Sequence, residues 1–205
     1  MNKNASPFYH RILPGTVRQW HWISSAVCLA GMLLFALTGI TLNHAADIEA
    51  SPQTTTVEAE LSGGMLTLLN KRNDGPLPLA VRRWLLQEYD INTPDSEAEW
   101  DEAEVYLALP GPGGDAWLSI DRHSGELMYE QTDRGLVSYL NDLHKGRNTG
   151  PAWSWFLDIF SALCIAFSLS GLWLLFRYSQ QRPGTWPLVV LGILMPVLII
   201  ILTLH

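Results

Sequence analysis

Three long apolar segments dominate the hydropathy pattern of the chain. Each is close to the roughly 20 residues that cross a hydrocarbon core at about 1.5 Å of rise per residue. Polar sections separate these segments, and the longest of them is long enough to bury a core of its own. The pattern predicts an α-helical integral membrane protein with an N-terminal segment at 1–19, transmembrane helices at 20–43, 151–176 and 185–204, a polar domain at 44–150 and a link at 177–184.

The polar domain carries shorter helix and strand patterns. Apolar residues recur at helical spacing in LPLAVRRWLLQEYDI (77–91) and predict an amphipathic helix. Alternating runs at 105–111 and 116–131 predict strands, and the second run turns at His123-Ser124-Gly125 to make a hairpin. A helix followed by a short antiparallel sheet makes a small α+β domain. The remaining stretches are predicted as a linker with one strand and as a solvated acidic loop, at 45–65 and 93–104 respectively.

Charge predicts the orientation of the helices. The section at 45–150 holds 19 Asp and Glu against 8 Lys and Arg. The positive-inside rule therefore puts the N-terminus and the link at 177–184 in the cytoplasm, with the acidic domain and the C-terminus outside. The net charge of −7 comes from that outer domain, which argues against binding to nucleic acid. The basic residues that flank the helices on the inner side are Lys3, Arg11, Arg18, Arg177 and Arg182.

Small and polar residues form one face on each of the first two predicted helices. Such residues let helices approach closely, so we expect the two faces to pack together. That packing would bury Asp158, whose carboxyl group is costly inside a membrane unless it is partnered or neutral. Cys28 and Cys164 are expected to be packing residues, with a redox pair as the alternative. The faces comprise Ser24, Cys28, Gly31, Phe35, Thr38 and Leu42 on the first helix, and Ser154, Asp158, Ser161, Ile165, Ser168 and Leu172 on the second.

Four motifs resemble those of the PepSY-associated transmembrane family, in the order expected of it. They are RQWHWISSAVCLAGMLLFALTGITLNH, WLSIDRHSGELMYE, LNDLHKGRNTG and LSGLWLLFR. The resemblance implies a PepSY-like extracytoplasmic α+β domain and a bacterial inner (plasma) membrane, so that the outer side is the periplasm. Longer members of the family are thought to be membrane ferric-siderophore reductases with b-type haems held by histidines. This chain has three predicted spans where those members have at least four.

The resemblance implies histidine ligands, and the positions of the histidines suggest which could act together. His44 ends the first helix and His144 precedes the second, so both are predicted at the outer face, as is His205. His21 lies at the inner face, about 34 Å from His44 and about 140° away around the helix. We therefore expect one haem b at the outer face, with His44 and His144 as its axial ligands. A second haem at His21 would need His10 or a partner chain.

Asp158, Lys145 and Arg147 are the predicted supporting residues. Asp158 would support a ligand histidine through a hydrogen bond or carry a proton. Lys145 and Arg147 lie just outside the predicted membrane face, where cations contact lipid phosphates. Two other interpretations stay open: the histidines also contact lipid headgroups, or a non-haem metal binds with Asp158 or His205.

Two classes of function remain after this reading. In the first, a haem protein passes electrons to a periplasmic acceptor such as ferric iron, with quinol as a candidate donor. This class requires His44 and His144 to face each other across an apolar, haem-sized gap. The second class is a non-enzymatic accessory or regulatory module whose domain binds a protein partner, and it predicts closed packing there and an exposed groove or sheet edge on the domain.

Several features are not apparent in the sequence. The chain has no Walker loop and no G-x-S-x-G, H-E-x-x-H or C-x-x-C motif, so no catalytic residue is predicted. No internal repeat is apparent. The oligomeric state stays open, a homo-oligomer included.

Overall fold

The computed structural model describes residues 16–48 and 51–204. Most of the predicted N-terminal segment, with His10, and the C-terminal His205 lie outside the described residues. The described chain divides into two compact units, one formed by 16–34 with 156–204 and the other by the described residues of 35–155.

The described residues form six α-helices and five β-strands, with one 3₁₀ turn at Ser179–Gln181. In chain order the elements are α1 (Val17–Asn43), β1 (Gln53–Glu60), α2 (Gly63–Leu69), α3 (Leu79–Tyr89), β2 (Glu99–Trp100), β3 (Glu104–Ala108), β4 (Gly114–Asp121), β5 (Glu126–Asp133), α4 (Leu136–Lys145), α5 (Gly150–Tyr178) and α6 (Thr185–Thr203).

Helices α1, α5 and α6 are long and apolar enough to cross a membrane, as the hydropathy pattern predicts. They contain 27, 29 and 19 residues. Most of their large apolar side chains are exposed, which is the arrangement expected of helices whose surroundings are lipid rather than water. Pro196 lies inside α6, and the helix continues past it.

In the first unit, α1 and α5 pack antiparallel through small residues of α1. Cys28 is fully buried, and it lies beside Cys164 of α5. Further along, a Cβ atom built on Gly31 would lie 2.7 Å from Cζ of Phe160, so only glycine lets the aromatic ring approach this closely. The packing face predicted for α1 is therefore confirmed, and both cysteines take part in packing.

The packing face predicted for α5 is wrong. Asp158 is exposed, as are Ser161, Ile165 and Ser168, so the structure does not bury the Asp158 carboxyl group between helices. The side turned towards α1 carries aromatic and small residues instead. Aromatic rings bury more apolar area against the small residues of α1 than a serine and carboxylate face would, and they need no polar partner there. The residues of α5 that contact α1 in this unit include Phe160, Cys164, Phe167, Ser170 and Gly171.

The second unit contains an antiparallel sheet of five strands in the order β1-β5-β4-β3-β2. The predicted hairpin is confirmed, because β4 and β5 are paired on either side of the turn at His123–Gly125. Alternate residues point to one face, where α2 and α3 pack, and so the predicted amphipathic helix is also confirmed. The core contains Leu61, Leu69, Leu77, Val81, Leu85, Ile91, Val105, Leu107, Leu118, Ile120 and Leu127.

Two stretches predicted as a linker and a loop contain strands. The strand predicted within 45–65 is confirmed as β1, which pairs with β5 over its whole length. The acidic loop supplies β2, because Trp100 is half-buried there. Its indole N–H donates to the Gly75 carbonyl at 2.7 Å, and the Arg122 guanidinium lies 5.6 Å from its ring centroid.

Gly113 provides a test of the close contact between the β3–β4 turn and α4. Its φ is +75°, and an added Cβ would lie 2.7 Å from the backbone Cα of Tyr139. Gly75 has nearly the same φ, +78°, with nothing within 4 Å. We expect Gly75→Ala to cost about 1–2 kcal/mol for its left-handed backbone. Gly113→Ala should cost about 1–3 kcal/mol more because of the clash.

The measurement is urea unfolding of the full chain in a non-ionic detergent, followed by circular dichroism. Equal losses of stability in the two variants would contradict the close packing of the turn against α4.

Candidate functional site

Helix α4 contains the polar segment that precedes α5, and it buries two polar side chains, Asn141 and Asp142. The helix ends at Gly146, whose φ of +67° is the left-handed conformation that glycine adopts readily. The Gly146 N–H donates to carbonyl groups of the last turn of the helix. A buried polar group must find a partner, so the contacts of α4 define what the helix holds together.

Asp142 joins α4 to the sheet. Its carboxylate oxygen Oδ2 accepts the backbone N–H of Gly113, in the β3–β4 turn, at 2.8 Å. The guanidinium of Arg134 lies 3.8 Å from the same oxygen. Asp142 is only 5% exposed, so its charge needs this hydrogen bond and this cation.

Asn141 and His144 join α4 to the C-terminal end of α1. The Thr41 hydroxyl donates to the Asn141 side-chain carbonyl at 2.8 Å. The His144 ring lies beside Thr38, with its Nδ1 2.7 Å from the Thr38 hydroxyl oxygen. The three polar residues Asn141, Asp142 and His144 therefore each bond a different group of the second unit.

We call the surroundings of His144 the His144 site, comprising His144, Phe35, Thr38 and Gly39. The ring centroids of Phe35 and His144 are 5.1 Å apart. A Cβ built on Gly39 would lie 3.7 Å from Cε1 of the histidine. The imidazole thus packs directly on α1, without a gap on that side.

The first unit contains a similar site, with a serine in place of the threonine. We call it the His21 site, comprising His21, Phe167, Ser170 and Gly171. The His21 ring stacks on Phe167 with centroids 4.9 Å apart. Its Nδ1 lies 3.0 Å from the Ser170 hydroxyl oxygen, and a Cβ on Gly171 would lie 3.1 Å from its Cε1. Each histidine is therefore surrounded by a phenylalanine, a hydroxyl group and a glycine.

The hydroxyl groups bear on which imidazole nitrogen carries the proton. The Thr38 hydroxyl lies 3.2 Å from the Phe35 carbonyl oxygen, and the Ser170 hydroxyl lies 2.9 Å from the Phe167 carbonyl oxygen, so each hydroxyl has a backbone acceptor besides the histidine. When the hydroxyl proton goes to the backbone, the hydroxyl oxygen accepts from the histidine, and for this reason we expect Nδ1 to carry the ring proton. The other nitrogen, Nε2, has no hydrogen-bond partner among the described residues in either site.

His44 has the same tautomer for a simpler reason. Its Nδ1 lies 3.0 Å from the Ile40 carbonyl oxygen, which can only accept, so Nδ1 donates and Nε2 is unprotonated. The His44 side chain is exposed at the end of α1. It projects about 140° around the helix from Gly39, where His144 makes contact. Among the described residues, no hydrogen bond or ring contact joins His44 to His144.

The side chains of the three predicted supporting residues, Lys145, Arg147 and Asp158, are all exposed. Within the described ranges, no group of three or more His, Cys, Asp or Glu side chains is close enough to hold a metal ion.

The repeated histidine surroundings have a sequence signal that the sequence analysis missed. FALTG at 35–39 and FSLSG at 167–171 share the pattern Phe-x-Leu-Ser/Thr-Gly. On a helix, positions i, i+3 and i+4 of this pattern lie on one face, so each copy presents a ring, a hydroxyl group and a glycine together. The buried positions of Asn141 and Asp142 were missed as well, because both are polar and lie in a polar segment.

The model of the family described as "Putative PepSY_TM-like" matches residues 12–205. The chain belongs to the PepSY_TM-like family. No curated protein and no solved structure shows significant similarity to the chain. The three apolar helices and the small α+β region with an open antiparallel sheet are consistent with a multi-pass PepSY_TM-like membrane protein.

The hairpin turn of this PepSY_TM-like chain is built on Asp121, the aspartate of the motif that resembles a PepSY domain. The backbone N–H groups of Ser124 and His123 donate to its carboxylate at 2.7 and 2.8 Å. These bonds lower the pKa of Asp121 below its ordinary value, because they stabilise the ionised form. The aspartate and the following Gly125, whose φ is +80°, therefore specify the turn.

Asp142 tests the link between α4 and the sheet. Replacing it by alanine leaves the Gly113 N–H buried without a partner, so we expect Asp142→Ala to lower the free energy of unfolding by about 1–3 kcal/mol. The matched control is Asp115→Ala, which removes the other, more exposed carboxylate paired with Arg134 and should cost at most about 1 kcal/mol.

Urea unfolding of the full chain in detergent measures both variants. A loss for Asp142→Ala no larger than that for Asp115→Ala would show that the buried carboxylate does not hold the turn.

Proposed function

We propose that this chain is an inner-membrane protein that binds haem b and passes electrons to an acceptor on the periplasmic side, such as ferric iron, with quinol as the donor. His44 and His144 are the proposed axial ligands at the outer face, and His21 is the proposed ligand of a second haem. The haem supplies the one-electron chemistry when it is bound. The protein supplies the ligands, their orientation and an apolar setting.

One observation carries this proposal: in all three of these histidines Nδ1 lies within hydrogen-bond distance of a protein oxygen that can accept its proton, and Nε2 is hydrogen-bonded to none of the described residues. Histidines that ligate metals commonly donate their other ring N–H to a protein acceptor, which fixes the tautomer and the ring orientation. The hydroxyl of Thr38, the hydroxyl of Ser170 and the carbonyl of Ile40 are the acceptors here. The imidazole nitrogens of these histidines are therefore suitable ligands for a haem iron.

The proposed orientation follows from charge. The N-terminus and the 177–184 link would be cytoplasmic because their charged residues are basic, and the acidic α+β domain would be periplasmic. His44 and His144 would then lie on the same side as that domain. An electron leaving this end of the helices would reach an acceptor outside the cytoplasm.

A second function is favoured by the direct packing of His144 on α1, because a haem held between His44 and His144 needs a gap there. In this second function the helices anchor a non-enzymatic accessory module, and the α+β domain binds a protein partner. The two hydroxyl–histidine bonds then serve to specify how helices pack. An exposed groove or sheet edge on the domain is the feature that this function requires.

The deciding experiment is a reduced-minus-oxidised visible spectrum of the full chain, expressed with ample haem and purified in detergent. The haem proposal expects a b-type spectrum in the wild type. His44→Ala and His144→Ala should each abolish the signal of the outer haem, because loss of an axial ligand removes a bond to the iron. His21→Ala should remove only the contribution of a second haem.

The matched control is His123→Ala, which removes an exposed histidine of the hairpin turn and should leave the spectrum unchanged. A colourless wild type would contradict haem binding and would make the accessory module the working function. A spectrum that survives in His44→Ala but not in His144→Ala would exclude His44 as the second ligand.

A further inference from the structure

The face of the sheet opposite α2 and α3 is uncovered within the second unit, and we call it the open sheet face. Strand register defines it, because residues directly opposite each other point to the same side. The core residues Leu118 and Leu127 point to the helices, so their neighbours point the other way. The outward positions are Thr54, Thr56, Glu58, Glu60, Glu99, Glu104, Tyr106, Ala108, Asp115, Trp117, Ser119, Asp121, Glu126, Met128, Glu130 and Thr132.

The open sheet face is strongly acidic. Eight of its side chains are Asp or Glu, and none is Lys or Arg. Only Asp115 forms an ion pair within the described residues, with Arg134. The glutamates at positions 58, 60, 99, 104 and 126 are all exposed. A surface of one sign attracts a partner of the opposite sign and steers its approach.

Like charges also stand directly opposite each other on neighbouring strands. Glu60 of β1 is the register partner of Glu126 of β5, and Glu104 of β3 is the partner of Asp121 of β4. Like charges directly opposite each other on neighbouring strands destabilise a sheet. A cationic partner laid across the strands would relieve this repulsion at both places.

The centre of the open sheet face is apolar and aromatic. Tyr106 and Trp117 stack with ring centroids 6.3 Å apart at 23°. Met128 is 42% exposed, and it lies between Ser119 and Glu58 in the register. Tyrosine and tryptophan side chains in the middle of a charged rim are typical of protein-binding surfaces, and their faces attract Lys and Arg groups.

We propose that the open sheet face binds a lysine- or arginine-rich segment of another protein. The acidic rim pairs with the basic side chains, and the Tyr106–Trp117 stack and Met128 contact their aliphatic stems. Anionic lipid headgroups and nucleic acids are repelled by the same charges. The inference goes beyond both functions above, because it names the chemistry of a partner and holds with or without haem.

The test measures binding of fluorescent decalysine to the full chain in a non-ionic detergent at low salt. One triple variant, Glu58→Gln, Glu104→Gln and Glu126→Gln, neutralises the open sheet face. The matched triple variant neutralises three exposed acids elsewhere, with the same change in net charge, at Glu88→Gln, Glu97→Gln and Glu102→Gln. We expect the face variant to weaken binding about tenfold, as three modest ion pairs are lost, and the control to change it little.

Three outcomes would overturn the proposal. The first is that the wild type does not bind decalysine. The second is that the two triple variants weaken binding equally. The third is that calcium chloride displaces the peptide at a concentration of charge at which sodium chloride does not displace it. The first two remove a basic partner specific to this face, and the third indicates a divalent-cation site instead. Thermal unfolding checks the fold, and the face variant should be no less stable than the wild type because its like-charge pairs are removed.

The peptide titration and the visible spectrum are independent of each other. Loss of specific decalysine binding would leave a haem spectrum unaffected, and a colourless protein would leave the titration unaffected. Either proposal can therefore fail without the other.

Discussion

The second unit depends on one constraint, which is that every polar group removed from water by α4 must be paired. Asn141, Asp142 and His144 meet this constraint with three different partners: a threonine hydroxyl, a backbone N–H and a second threonine hydroxyl. An unpaired group at any of these places would carry the cost of desolvation without compensation. The pairing therefore holds α4 between the β3–β4 turn and the C-terminal end of α1, and the position of the His144 ring follows from it.

The same rule is satisfied in the first unit by another copy of the same pattern. A phenylalanine, a hydroxyl residue and a glycine on one helix face receive the ring of His21, as they receive that of His144. When the hydroxyl proton goes to the helix backbone, the imidazole donates and Nε2 keeps its lone pair, and this is the arrangement that we expect. The expected site chemistry is thus a consequence of how serine and threonine bond within a helix. A haem ligand and a helix-packing contact would both use this arrangement, and they differ only in whether Nε2 binds iron.

Sequence predicted the parts of this protein that depend on local periodicity. The three apolar helices, the amphipathic α3 and the β4–β5 hairpin all follow from hydrophobic spacing and from the Asp121 turn. The sequence could not predict which side of α5 faces α1, since apolar and small residues surround that helix, and Asp158 drew the prediction to the wrong face. Nor could it predict the burial of Asn141 and Asp142, because their partners, Thr41 and Gly113, are distant in the chain. The FALTG and FSLSG segments share a sequence pattern. The pattern predicts a histidine site only when a histidine ring is known to pack on each segment.

The most direct test of this account is the tautomer of His144, read by ¹⁵N NMR of the histidine-labelled full chain in detergent without haem. The account predicts a neutral ring protonated on Nδ1 in the wild type. Thr38→Val should remove that preference, because the acceptor is lost. Thr41→Val, which removes a hydroxyl bonded to Asn141 rather than to histidine, should keep it. A His144 ring protonated on Nε2 in the wild type would contradict the central claim that the Thr38 hydroxyl accepts the Nδ1 proton and leaves the Nε2 lone pair free. A tautomer that does not change in Thr38→Val would contradict it as well.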